Sequence, residues 1–380
     1  MSTIIKGKYT SATIYRDDIE QYAEAQIKML CDMKIHEGCT IKLMPDVHPG
    51  NVGPIGLVME IPYNLNTCFM PALVGNDIGC GVSCTKIKLP KRQKNIDFNK
   101  LTKVIDNTIS NAKKKNMASF HSIEGFYGMD EVCTVFDELR YYSMNSIGTL
   151  GGGNHFIEID THDGDLYFIV HTGSRSIGNY VYGKYMERAK ENSPHDVPYE
   201  LSYLSGDDLK HYLTYVSFVA KFATFNRRTL IERVCSDMGW AYSDDMIDTI
   251  HNYAYLENDK LILTKGANCL KGNTYVCIPV NSVDGCIIGK TKDIPGNIYL
   301  PHGSGRIIKR IEVANNYTAN EYKKLMNFVN VYCNSYKDTL DEYPFAYRRY
   351  FDLDFNDYID QTIIMKSYTK PIYNYRSKGE

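Results

Sequence analysis

HFIEIDTHDGDLYFIVH, residues 155–171, holds two short apolar runs either side of the polar turn THDGD at 161–165. The runs HFIEI at 155–159 and LYFIV at 166–170 are of strand length and predict a β-hairpin. His155 begins the first strand and His171 ends the second, so pairing brings both imidazoles to one end of the hairpin. Before it, residues 41–89 read as short apolar runs such as IGLVMEI and VSCTKIKL, cut by Gly, Pro and Asn, hence strands with functional loops between them. Residues 98–115 look helical. After the hairpin, Ser176 to Asn192 has helical spacing. Gly206 to about Trp240 carries a longer period that turns Leu213, Val216, Val219, Ala220 and Phe222 toward a core. Short strands are expected near 260–264, 274–279 and 286–289, and a helix over 318–333. The strands cluster instead of alternating regularly with helices, which predicts an α+β fold and not a doubly wound sheet.

The chain has 380 residues and is 43% hydrophobic, enough for a large core. No Pro/Ser/Gly-rich linker, low-complexity block or fixed-period repeat divides it, so the reading is one large domain over 1–380. The N-terminal MSTIIKGKYTSATIYRDD has no apolar core of signal-peptide length, and no stretch of about 18 apolar residues occurs. A cytoplasmic, soluble protein is expected. Eleven cysteines, an odd number without a framework, fit reduced thiols. A net charge of −2 does not announce a nucleic-acid binder; a polyanion site would have to come from local clusters. Those are Lys113–Lys115 (read as a solvated helix face), Arg227 with Arg228, Arg306 with Lys309 and Arg310, and Arg348 with Arg349.

Several histidines and one cysteine stand where turns should be. In MPDVHPGNVGPIG, Asp46 and His48 are two residues apart, on one face of an extended chain. In VGNDIGCG, glycines permit a sharp turn on which Asp77 and Cys80 converge. His251 sits in IHNYA and His302 in PHGSGR. Taken singly, a Cys in such a turn is usually a small buried hydrophobe, and a strand-end His is more often a hydrogen-bonded structural residue. Together, Asp, Cys and several His make a mixed hard–soft ligand set suited to Mn, Fe or Zn. His36, His121, His162, His195 and His211 have no such context and read as surface or core residues.

Phosphate-binding candidates differ in weight. GGGNH offers bare backbone N–H groups. TGSRSIGN brings a hydroxyl, an arginine and a helix N-terminus together, although capping by Ser174 or Ser176 explains it as well. Gly285 to Thr291, GCIIGKT, imitates a phosphate loop but is one residue short between its glycines and precedes no convincing helix. In PHGSGR, a Gly-rich turn leaves the His302 imidazole accessible, and Arg306 stands four residues on to hold an anion. Such an imidazole can attack phosphorus and pass the group onward.

PDVHPGNVGPIG, VGNDIGCG, GTLGGGNHFIEI, HTGSRSIGN, IHNYA, KGA, HGSGR and the terminal SKG follow one another in this chain. In that order they resemble the motifs of RtcB RNA ligases, from about residue 44 to the C-terminus. The resemblance implies an α+β fold around a deep central site with two Mn²⁺ ions. It implies a reaction that uses GTP to join RNA 3′-phosphate or 2′,3′-cyclic phosphate ends to 5′-hydroxyl ends, in RNA repair or tRNA splicing. Asp77, Cys80 and His155 would bind one ion and Cys80, His171 and His251 the other, with His302 the guanylated nucleophile. Asn154, Glu158, Tyr347 and Lys378 look like GMP contacts, with Glu158 at the guanine edge. Arg175 resembles a phosphate-binding arginine, and Asp46 a residue close to the nucleotide. The chain departs from the family pattern at Thr264 (TKGA in place of RKGA), at IPVNSV over 278–283, and at Lys309. These departures bear on the guanine contacts and not on the ligand set.

Two other functions fit part of the pattern. A dinuclear phosphodiesterase or phosphatase acting on RNA ends would use the same ligands but has no need of the HGSGR histidine. A metal-stabilised RNA-binding protein without turnover could use the 31 tyrosines to stack on bases.

Overall fold

The computed structural model describes residues 2–110 and 133–377, and the strands in them fall into four sheets. One has the order β1-β2-β3-β4-β11-β10, built from β1 (Thr3–Lys6), β2 (Ser11–Ile14), β3 (Thr40–His48), β4 (Ile55–Pro62), β10 (Asn252–Glu257) and β11 (Lys260–Lys265). The second runs β16-β18-β6-β7-β5-β8, with β9 also on β5. Its strands are β5 (Gly81–Lys88), β6 (Phe156–His162), β7 (Asp165–Thr172), β8 (Ala241–Tyr242), β9 (Ile247–Ile250), β16 (Tyr332–Cys333) and β18 (Lys370–Tyr375). Two small sheets pair β12 (Ala267–Leu270) with β15 (Ile298–Pro301), and β13 (Tyr275–Asn281) with β14 (Gly285–Thr291) and β17 (Ile363–Tyr368). Among the described strands only β2–β3 and β16–β18 pair in parallel. The class is therefore α+β, as the clustered apolar runs predict.

The β6–β7 hairpin turns on Asp163 and Gly164, both at positive φ (50° and 83°), as a two-residue turn matched to strand twist requires. Its register sets Phe156 opposite His171, which places His155 and His171 at the same end.

The helices are α1 (Gln21–Asp32), α2 (Pro71–Val74), α3 (Phe98–Ser110), α4 (Cys133–Ser146), α5 (Ser176–Asn192), α6 (Gly206–Met238), α7 (Val313–Asn316), α8 (Ala319–Phe328) and α9 (Leu353–Thr362). Of these α6 does most to position the site. Its buried residues recur every three or four positions. Leu209, Tyr212, Val216 and Val219 join the core of the first sheet; Leu230, Ile231, Val234 and Met238 join that of the second. One 33-residue helix thus braces both sheets.

The helix expected over 318–333 ends at Phe328. Thr318 and Glu321 close its N-terminus in a capping box, but Asn330 at φ 58° turns the chain, and Tyr332–Cys333 leave to pair with β18. GCIIGKT is strand β14, in the middle of its sheet, and forms no phosphate loop. Residues 111–115, the lysine cluster 113–115, His121 and Lys378 lie outside the described residues. The ten cysteines whose side chains are described are unpaired thiols, and no described helix is long and apolar enough to cross a membrane.

Candidate metal centre and adjoining cavity

The turn after α2 is shaped by glycine. Gly79, at φ 75°, sits where a Cβ would press into Ala220 of α6, so the turn lies flat on that helix. Asn252 then staples it: Nδ2 donates to the carbonyls of Val74 and Asp77, 2.8 Å each, and the His251 N–H donates to the Cys80 carbonyl at 2.9 Å. Asp77 and Cys80 are thereby brought to the end of the β6–β7 hairpin and to His251.

The result is one tight cluster. Cys80 Sγ lies 3.6 Å from His155 Nε2 and 3.3 Å from His171 Nε2. His155 Nε2 is 3.1 Å from Asp77 Oδ2, and His171 Nε2 is 3.3 Å from His251 Nε2. The donor atoms of Asp77, Cys80 and His155 lie within 4.8 Å of one another, as do those of Cys80, His171 and His251. His171 Nδ1 donates to the Asn154 carbonyl at 3.0 Å, so its Nε2 keeps a lone pair. Two imidazole Nε2 atoms facing each other beside a thiol, with the far nitrogen of one ring already engaged, is a ligand arrangement. The donor set fits borderline divalent ions.

Electrostatics keep the His171 and His251 imidazoles neutral, with lone pairs to offer an ion. Burial pushes the Cys80 thiol well up, and the Asp77 charge adds to it. Burial, then His155, drives His171 well below the usual imidazole range. Burial, then His302, does the same to His251. Burial works against ionisation of Asp77, yet the His155 imidazole holds its carboxyl low.

Behind the cluster is a residue the sequence reading placed elsewhere. Arg227, taken with Arg228 as a local basic cluster, is fully buried on α6. Its Nε and NH2 donate to Asp248 at 2.8 and 3.0 Å, and its NH1 to the carbonyls of Gly79 and Thr172, 2.9 Å each. One guanidinium thus ties the Cys80 turn to the end of the His171 strand. The only sequence signal for it was its phase on α6, shared with the core residues Leu230 and Ala223.

His302 stands on the turn after β15. Asp46 Oδ2 accepts from both its Nδ1 (2.6 Å) and its backbone N–H (3.2 Å), so Nε2 is left for an electrophile. Its ring centroid is 4.9 Å from that of His251 and 6.4 Å from that of His48. His48 donates from Nδ1 to the Asp46 carbonyl, and burial lowers it to about 4.

A cavity of about 710 Å³ opens over His302 and is also lined by His48, Asn154, Glu158, His171, Arg306 and Tyr347. Arg306 is not free there: Glu342 and the Tyr347 hydroxyl both engage its NH2, and the Asp341 carbonyl accepts from NH1 at 3.0 Å. Glu342, 1% exposed, also meets Arg310 and Arg376, a knot of charge that no motif announced. Burial opposes its ionisation, but the charges of Arg376, Arg306 and Arg310 hold it low.

Glu158 is buried at the cavity floor, where Asn374 Nδ2 donates to its Oε2 at 2.6 Å. Arg175 sits at the N-cap of α5 with φ 61°, under Gly151, where a Cβ would meet its guanidinium. Ser174 and Ser176 cap nothing there. Of the departures, Val280, Asn281 and Ser282 form cavity wall and Lys309 its rim. Asn281 Oδ1 accepts from the Val283 and Asp284 N–H groups and so shapes the β13–β14 turn. Thr264 is buried in β11.

The family model described as "tRNA-splicing ligase RtcB" matches residues 26–138 and 124–353. The chain is 27% identical over 331 residues to the RNA-splicing ligase RtcB2 of Escherichia coli (strain ATCC 25922), covering 80% of this chain and 79% of that protein. To the RNA-splicing ligase RtcB of Escherichia coli K12 it is 25% identical, covering 81% and 83%. To the tRNA-splicing ligase RtcB of Nanoarchaeum equitans it is 25% identical, covering 80% and 81%.

Proposed function

Because the chain belongs to the RtcB family, we propose that it is an RNA ligase that joins 3′-phosphate or 2′,3′-cyclic phosphate ends to 5′-hydroxyl ends through GMP carried on His302. The observation that carries this reading is the Asp46–His302 pair at 2.6 Å, one imidazole away from the Cys80 cluster. A metallohydrolase has no need of a covalent nucleotide carrier, and a histidine with Nδ1 so fixed and Nε2 open suits one.

Asp46 holds the proton on Nδ1, leaving the Nε2 lone pair to attack the α-phosphorus of GTP. The new N–P bond forms as the α–β phosphoanhydride breaks and pyrophosphate leaves. A 2′,3′-cyclic end is first hydrolysed by water to a 3′-phosphate and a free 2′-hydroxyl; a terminal 3′-phosphate oxygen then takes GMP from His302, breaking the N–P bond and making an RNA-ppG end. The 5′-hydroxyl oxygen attacks the 3′-phosphorus, and GMP departs as the phosphodiester forms. Asp77, Cys80 and His155 would hold one Mn²⁺ and Cys80, His171 and His251 a second. Bound Mn²⁺ supplies charge neutralisation on the phosphates and acidifies the attacking oxygen. Glu158, whose carboxyl Asn374 fixes, would accept from the guanine edge. Asn154, Tyr347 and Arg175 would complete the nucleotide's surroundings, and Lys378 would join them from outside the described residues.

Incubation with GTP labelled at the α-phosphate and Mn²⁺ tests this. An acid-labile protein–GMP adduct is expected, lost in His302→Ala and greatly reduced in Cys80→Ala. Full labelling of His302→Ala would refute the nucleophile. RNA with 3′-phosphate and 5′-hydroxyl ends should be joined; dephosphorylation without joining would favour a phosphatase.

A further inference from the structure

A second group of ligand-type side chains lies under the cavity, apart from the Cys80 cluster. Glu158 and Asp160 alternate on β6 and so share a face, and Cys286 on β14 meets them. The donor atoms of the three lie within 4.8 Å of one another, and all three residues are at most 2% exposed. Their partners are few. Asn374 Nδ2 donates to Glu158 Oε2, the Thr369 hydroxyl donates to Asp160 Oδ2, and Cys286 Sγ lies 3.8 Å from Glu158 Oε1. Asp160 Oδ1 is buried with no hydrogen-bond partner. The guanidinium near them, Arg376 over the Phe156 ring, is already paired with Glu342. Cys286 also continues into a row of buried thiols through Cys277 to Cys84.

Two buried carboxylates this close cannot both ionise unless a positive charge lies between them. A proton shared between Glu158 and Asp160 can serve, with the Cys286 thiol donating to Glu158 Oε1, but Asp160 Oδ1 then stays without a partner. A cation serves all three. Carboxylate oxygens with a thiolate are the donors of a borderline-soft divalent ion, and Glu158, which lines the cavity, gives it a way in. We propose that Glu158, Asp160 and Cys286 form a cation site, separate from the Cys80 centre, that takes a thiophilic divalent ion such as Zn²⁺. Resting on the nucleotide reading above, one consequence follows: Glu158 cannot hold the ion and read guanine at once, so the two ligands exclude each other.

The test uses Cd²⁺, whose bond to a thiolate gives an ultraviolet charge-transfer band, on the Cys80→Ala chain so that the other centre is silent. A saturable band at one equivalent is expected. Cys286→Ser in that background should abolish it, and Asp160→Asn should weaken Cd²⁺ binding at least about tenfold. Absence of the band in Cys80→Ala, or its survival in Cys286→Ser, would overturn the site. Circular dichroism of each variant checks folding, and isothermal titration of Zn²⁺ into Asp160→Asn gives a second reading that leaves every thiol in place. GMP should raise the apparent Cd²⁺ dissociation constant. If Cd²⁺ binds through Cys286 and GMP has no effect, the cation site stands and the guanine role of Glu158 falls.

Discussion

At the scale of single residues, the site works by deciding which nitrogen or oxygen carries a proton. Asp46 is fully buried and accepts twice from His302, so its charge fixes both the tautomer and the ring's direction. Asp46→Asn keeps the shape but offers an amide that can face either way. We expect the rate of His302 guanylation to fall by about 10²-fold or more, in the range that a positioned proton partner contributes, with the fold intact. Single-turnover labelling measures it, and an unchanged rate would remove Asp46 from the mechanism. A second residue-scale outcome concerns pH. Burial raises Asp160 to about 6, above the roughly 3.9 of an unfolded Asp. The folded chain therefore binds more protons than the unfolded one between about pH 4 and 6, and this group's contribution to stability declines as pH rises across that window. Asp160→Asn removes the decline, so without divalent ions its melting temperature relative to the parent should climb from pH 4 to 6. A difference that stays flat would show that the Asp160 carboxyl is not raised.

At the scale of elements, what the sequence exposes is periodicity, and what it hides is partnership. The β6–β7 hairpin, α5 and α6 were legible because each declares its own period and ends. Strands β9 and β10, flanking His251, were not. β9 is four residues long and pairs with β5 more than 160 positions earlier, so nothing local marks it, whereas β10 turns through Asn258 and Asp259, both at positive φ, straight into β11. The candidate ligand types were legible for a different reason: glycines mark turns around Asp77, Cys80 and His302, and Asp, Cys and His recurring in such turns make a ligand set together that none makes singly. Arg227 escaped because a buried arginine on an amphipathic helix looks like a surface one until its partners arrive from Gly79, Thr172 and Asp248. Its substitution is the informative one at this scale. Arg227→Met keeps the helix but leaves Asp248 without its counter-charge and frees two carbonyls. Loss of one partner of a buried pair costs about 3–5 kcal/mol. Denaturant unfolding should read a loss of that order, and Mn²⁺ affinity should fall because the Cys80 turn and the His171 strand end are no longer tied. A destabilised variant with parental Mn²⁺ affinity would separate the clamp from the metal site.

At the scale of the whole molecule, the candidate centre is a junction. Asp77 and Cys80 come from the turn between α2 and β5, His155 and His171 from the hairpin in the second sheet, His251 from the step between β9 and β10 that passes from the second sheet to the first, and His302 from the end of β15. An ion held by such a set adds bonds between parts of the chain that lie far apart in sequence, and it binds the folded state alone. Its free energy of binding must then appear as stability. At an Mn²⁺ concentration one hundred times the dissociation constant, the gain should be about 2.7 kcal/mol per site, a shift of a few degrees in Tm for a chain of this size. The gain should vanish in Cys80→Ala, which removes the ligand common to both triads, and should halve in His155→Ala or His251→Ala, which each remove a ligand from one triad only. Thermal melts with and without Mn²⁺ on these chains decide it. Equal loss in His155→Ala, His251→Ala and Cys80→Ala would mean a single ion or a strictly coupled pair. Retention of the full shift in Cys80→Ala would mean that Mn²⁺ stabilises the protein from somewhere other than this junction.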